Sequence, residues 1–269
     1  TETARGRLPM AGVALGLSMA AKWNALPVAV LPGLAFLIIR LRTAGAAFLT
    51  SGRAPPVRGV TLLEAALWLG LVPLLAYAAA YWPAFFYREG ARPITGLVEL
   101  HRVMLEMQEQ PLDRHPYQSV WWQWVLNWRA IWYLYEVTDG AQRGVLLVGN
   151  PVTMLLGLPA LIWCAWVGVM RHRHDALAVA VLYAVSLGLW IVAPKNVQFY
   201  YHYFLPSCFL LAALALALDE FWKRRWRLPP LAVLVASAAL FAYFWPILTA
   251  AKLASERSFL DYTWLDSWR

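Results

Sequence analysis

Six long apolar runs, each broken or ended by Arg, Lys, Pro or Asn, leave this chain few folds to choose from: Leu8–Ile39, Leu62–Tyr81, Val145–Met170, Leu177–Ala193, Phe204–Leu218 and Leu231–Ala250. About 20 apolar residues carry one helix across hydrocarbon, where the backbone must satisfy its own hydrogen bonds. The first run is longer than that and holds Lys22, Trp23, Asn24 and Pro27 in its middle. A charge at mid-membrane is costly, so two helices meeting near Lys22 fit better than one span. Only 14% of the 269 residues are charged, against roughly a quarter in soluble domains. The pattern predicts an all-α, polytopic integral membrane protein with about six to seven transmembrane helices and an external interfacial amphipathic segment.

The net charge of +8 would suggest nucleic acid in a soluble chain. Here the cations sit in short clusters between apolar runs, as orientation signals do, and nucleic-acid binding is not expected. Arg40, Arg42, Arg53 and Arg58, then Arg171 and Arg173, then Lys223, Arg224, Arg225 and Arg227 are assigned to the cytoplasmic side. Residues 83–144 carry six Arg against seven acids, the balance of a translocated loop. The expected organisation is therefore 1–82 as N-terminal spans, 83–144 as an external interfacial loop, and 145–269 as a four-span membrane region with an external tail. The opening TETARGRLPMAG has neither an initiator Met nor a signal-peptide pattern, so the chain is expected to be the C-terminal part of something longer.

Cys164 and Cys208 lie in apolar runs as small hydrophobes, and His172 and His174 read as solvated loop residues; neither disulfide nor metal is expected. GVLLVGNPV lacks phosphate-cradling glycine spacing, and no cofactor is expected.

The external loop contains the least ordinary stretch, His115–Glu136, with Trp121, Trp122, Trp124, Trp128 and Trp132 among polar residues. Indoles concentrate at headgroup depth, so an aromatic belt that only anchors is one reading. The other is a site, in which His115, Tyr117, Ser119, Trp121, Trp122 and Trp124 offer the aromatic faces and polar edges suited to a sugar or an acceptor. Just before it, Thr95–Glu109 has apolar residues at helical spacing and is expected as an amphipathic helix along the membrane, ended by Pro111. A second spot, Lys195–Pro206, places Lys195, Gln198, Tyr201, His202 and Tyr203 at the outer mouth, with Lys22 near the same surface. Such groups suit a lipid-linked phosphate; the alternative is a snorkelling lysine among belt tyrosines. The two groups are expected to converge on one cavity, with Lys195 and His202 at its polar rim.

HPYQSVWWQW, RAIWYLYE, GVLLVGNPV and QFYYHYFLP, in that order, resemble the C-terminal four-span region of the protein O-mannosyltransferases, and GVALGLSMAAKWNALPV resembles an earlier stretch of the same family. The resemblance implies a GT-C glycosyltransferase that takes mannose from a dolichyl or polyprenyl phosphate and attaches it to Ser or Thr hydroxyls of a protein acceptor on the extracytoplasmic side. Lack of the large soluble insert of eukaryotic members implies a bacterial type, in the inner membrane with a periplasmic site. This sequence has Lys195 and Gln198 where the eukaryotic motif tends to have Arg. The family's acidic catalytic pair belongs to an earlier external loop, expected upstream of Thr1; Glu89, Glu99, Glu136 and Asp139 match no family motif for that role. The resemblance thus implies a portion that binds donor and acceptor. Two other readings stay open, a GT-C transferase with a lipid or polysaccharide acceptor, as in aminoarabinose transferases, and a transport or scaffold subunit.

Overall fold

The computed structural model describes residues 2–269, which divide into two compact units with the boundary between Gln108 and Glu109. In the first, α1 (Glu2–Ala21) and α2 (Leu26–Ala44) separate where Lys22 adopts an extended conformation, φ −163° and ψ 130°. Pro27 falls in the first turn of α2, where its missing N–H costs nothing. The Leu8–Ile39 run is thus two helices, divided at its one lysine.

The next crossing comprises α3 (Leu62–Ala66), a π-type turn (Leu67–Leu71) and α4 (Val72–Ala79). Pro73 has no N–H for the carbonyl of Leu69, and the ladder widens there. The carbonyls of Trp68 and Pro73 press against α1 at Gly12 and Gly16, where an added Cβ would lie 2.1 and 2.3 Å from those oxygens. Small residues permit this backbone approach, a common way to join helices in lipid. Arg40 is fully buried over the Phe36 ring and donates to the carbonyls of Ser51 and Val60. It staples the following loop, leaving Arg42, Arg53 and Arg58 exposed.

The expected amphipathic helix is α5 (Gly96–Glu109). Within the first unit, His101 ties it to α4. Its Nδ1 faces the Leu97 carbonyl at 2.6 Å and so carries the proton, which leaves Nε2 to accept from the Tyr77 hydroxyl at 2.5 Å. The Trp23 indole N–H donates to that same hydroxyl at 2.8 Å.

The second unit opens with the short α6 (Trp121–Val125), followed by an antiparallel hairpin of β1 (Ile131–Thr138) and β2 (Ala141–Leu147). Among the described residues this hairpin is the one small sheet in an otherwise helical fold. Asp139 and Gly140 both have positive φ, 54° and 69°, which is the tight turn that an Asp-Gly pair favours. The rings of Trp132 and Tyr135 lie over Gly144, where a Cβ would be 2.9 Å from either. Residues 145–147, expected to begin a span, are therefore strand; α7 (Pro151–Met170) starts after the Asn150 cap, whose side chain accepts from Val152 N–H.

α7 packs with α8 (His174–Val192) and α9 (Phe204–Lys223), while α10 (Leu228–Leu248) lies against α7 and the hairpin; α11 (Phe259–Tyr262) belongs to the tail. Arg173 reaches Glu220 at 3.3 Å, so the 171–173 and 219–227 turns share one end of this unit. Among the described residues, six helical stretches are long and apolar enough to cross a membrane: Trp23–Ala47, Leu62–Ala79, Pro151–Met170, His174–Val192, Tyr200–Lys223 and Leu228–Leu248. The chain is an integral membrane protein.

Candidate functional site

At the end of the second unit away from Arg173, the segments before α6 and after α8 meet. Ser119 N–H donates to the Gln198 carbonyl at 2.8 Å, and the His115 ring stands edge-on to Phe199 at 5.0 Å. Between them lies a cavity of about 440 Å³, lined by Ser119, Gln123, Trp190, Lys195, Asn196 and Gln198 among others. Gln198 is held by donating to the Trp190 and Lys195 carbonyls, at 3.1 and 3.3 Å. The Trp190 indole N–H, buried in this wall, has no hydrogen-bond partner among the described residues. A lysine ammonium, amide edges and one hydroxyl around an aromatic wall can grip an anion and orient a polyhydroxylated ligand.

Beneath the cavity the wall is locked. Trp124 is fully buried and donates from Nε1 to Ser119 Oγ at 2.7 Å. It stacks on His202, whose ring also lies 4.0 Å from that of Trp190. Asn127, held at φ 52°, ties four parts of the unit together. Its Oδ1 accepts from the Tyr200 hydroxyl at 2.7 Å and from Gly149 N–H at 3.2 Å, and its Nδ2 donates to the Gly149 carbonyl at 2.9 Å. Its own carbonyl accepts from Trp268 Nε1 at 3.0 Å. The tail continues this clamp: Ser267 donates to the Trp128 carbonyl, Arg129 to the Ser267 carbonyl, and Trp132 to the Trp268 carbonyl. Tyr135 donates to the Glu256 carbonyl at 2.6 Å. Burial pushes its phenol above the ordinary value, and an N–H bond from Phe259 opposes this only in part, so it stays a neutral donor.

The structure thus brings Ser119, Lys195 and Gln198 to one cavity, with His115 and Tyr117 beside it and Trp121 on its wall. Trp122 is exposed, and Tyr201 is partly buried, stacked on Phe199 at 5.4 Å. His202 and Tyr203 are 2% and 1% exposed, which corrects the polar rim expected for His202; the Tyr203 hydroxyl is satisfied by Tyr183 at 2.9 Å. Lys22 belongs to the first unit, exposed at the α1–α2 break. Sequence reasoning passed over Trp190, Asn127 and Trp268. Asn127 alone gave a signal, as an amide among indoles.

The C-terminal four TMM region of protein-O-mannosyltransferase, as a family, matches residues 93–181. Over 96% of this chain, a polyprenol-phosphate-mannose–protein mannosyltransferase of Mycolicibacterium smegmatis is 28% identical, with 57% of that protein covered. Proteins of the same name from Mycobacterium tuberculosis and Corynebacterium glutamicum are each 24% identical over 96% of the chain, with 56% and 57% of their lengths covered. The chain is similar to the protein O-mannosyltransferases, by the family match over 93–181 and by these relatives along nearly its whole length. It spans a little over half the length of these curated relatives, and no solved structure matches it. The family match takes in the Trp-rich segment, the hairpin, α7 and the start of α8; it stops short of the Lys195–Tyr203 half of the cavity, which falls in the stretch that follows.

Proposed function

We propose that this chain is the donor- and acceptor-handling portion of a bacterial membrane enzyme that moves mannose from a polyprenyl phosphate to Ser or Thr hydroxyls of proteins on the extracytoplasmic side. The observation that carries the reading is the cavity where Lys195, Asn196 and Gln198 face Ser119 and Gln123. Lys195 attracts the carrier phosphate, the amides orient sugar hydroxyls, and the exposed indoles of Trp121 and Trp122 hold the segment at headgroup depth. Inverting transfer to a hydroxyl needs a carboxylate to take its proton, and among the described residues no Asp or Glu lines this cavity. The names of the relatives, protein mannosyltransferases, favour a protein acceptor over a lipid or polysaccharide.

In the full-length enzyme, Lys195→Ala is expected to raise the KM for polyprenyl-phosphate mannose, a loss of about 1–3 kcal/mol for one charge-assisted bond, while the melting temperature holds. Transfer of labelled mannose to an acceptor peptide measures the first, and unchanged donor dependence would remove Lys195 from the site. His202→Ala is expected to do the reverse and lower stability first, since its ring packs between Trp124 and Trp190. Topology has its own check. Single cysteines at Asp113 and Arg173 should label from outside and inside respectively in intact cells; the opposite result inverts the proposed orientation.

A further inference from the structure

At the basic end of the second unit, α7, α9 and α10 enclose a second cavity of about 580 Å³. It is hollow because small side chains, Ala160, Ala217 and Ala232, face it from the three helices; Trp163, Leu218 and Phe221 complete apolar walls. Its mouth is different. Arg224 and Trp226 line it there, with Glu220. The Glu220 carboxylate is shared between Arg224 at 3.2 Å and Arg173 at 3.3 Å, so it neutralises neither guanidinium fully. Around the mouth, Lys223, Arg224, Arg225 and Arg227 outnumber Asp219 and Glu220. Trp222 and Trp226 are 46% and 63% exposed, and Arg227 sits over the Trp222 ring at 5.3 Å. Indoles and cations together mark headgroup depth.

The geometry points to a binding site for one anionic phospholipid, with an acyl chain between α7, α9 and α10 and its phosphate on Arg224. An apolar chamber of this volume rewards a hydrocarbon chain, and the excess of cations at one end rewards a phosphate there; a free anion would use only the mouth. The site is separate from the candidate donor cavity. The 20 residues of α9 span about 30 Å from Tyr203 to Arg224, which puts the two cavities at opposite ends of the helices. In the proposed orientation the lipid comes from the cytoplasmic leaflet.

The test uses full-length protein reconstituted in nanodiscs of phosphatidylglycerol or of phosphatidylcholine, re-extracted in mild detergent, with retained lipid counted by mass spectrometry. Wild type should keep about one phosphatidylglycerol per chain and little phosphatidylcholine. Ala217→Trp, which fills the chamber, should abolish retention, and Arg224→Gln should lower it roughly tenfold, a loss in line with one charge-assisted bond, while leaving mannosyl transfer unchanged. Should Ala217→Trp fail to fold, the wild-type selectivity and Arg224→Gln still decide. Equal retention of both lipids, recovery of polyprenyl phosphate in their place, or an absence of retained lipid would each overturn the proposal.

Discussion

Trp124→Ala should cost roughly 3–5 kcal/mol of stability, the usual loss when a buried large aromatic is truncated, and should abolish transfer with it. The indole has no exposed surface, spans the floor between Ser119 and His202, and meets Trp190 edge-on at 6.4 Å. Its removal leaves a void directly under the cavity, and the neighbours are too large and too well bonded to collapse into it. Trp124→Phe is the milder variant. It keeps most of the ring volume but loses the N–H bond to Ser119 and the five-membered part of the ring, so roughly 1–3 kcal/mol is expected, less than for alanine. Thermal unfolding of the purified full-length protein measures both, and an alanine variant that melts like wild type would remove Trp124 from the supporting floor.

Asn127→Ala is the second large effect. Alanine loses the three side-chain bonds to the Tyr200 hydroxyl, the Gly149 N–H and the Gly149 carbonyl, at roughly 1–3 kcal/mol for each buried group whose bond is not replaced. Alanine is also disfavoured at the φ of 52°, by about 1–2 kcal/mol. Asn127→Gly isolates these causes, because glycine accepts that φ freely and still lacks the amide. Glycine should therefore recover a minor part of the loss. If it restores wild-type melting, the backbone strain was the whole effect and the amide's bonds contribute little. Asn127→Asp should fall between, since it keeps the acceptor for Tyr200 but cannot donate to Gly149.

The spans were legible in the sequence because hydrocarbon dictates them: a helix must be long and apolar, and Lys22 could not remain inside one. The amphipathic α5 was legible for the same reason, its apolar residues recurring at helical spacing up to Glu109. That Ser119 and Gln198 meet followed from placing both segments at one membrane surface. The hairpin was not read, although Asp139-Gly140 is a strong turn pair. Its aromatic residues suit a strand and a membrane interface equally, and the interface reading absorbed them. Burial of His202 and Tyr203 was hidden because polar type suggested a rim. Their partners, Phe199 and the distant Tyr183, make burial inexpensive. No local pattern tells an indole at 268 that its acceptor is the carbonyl of residue 127.

That last bond has a consequence for biogenesis. Trp268 follows Asn127 by 141 residues, and Trp132 meets the Trp268 carbonyl across 136. The Trp-rich segment emerges from the ribosome long before its clasp exists, and four membrane helices must be inserted in between. Chains cut off after α10 hold the cavity-lining residues but not the group that pins Asn127 from the far side. Assembly of the site therefore waits until the segment around Trp268 has been made, and a chain that stops short of it displays loose indoles at the membrane surface where quality-control proteases can recognise them.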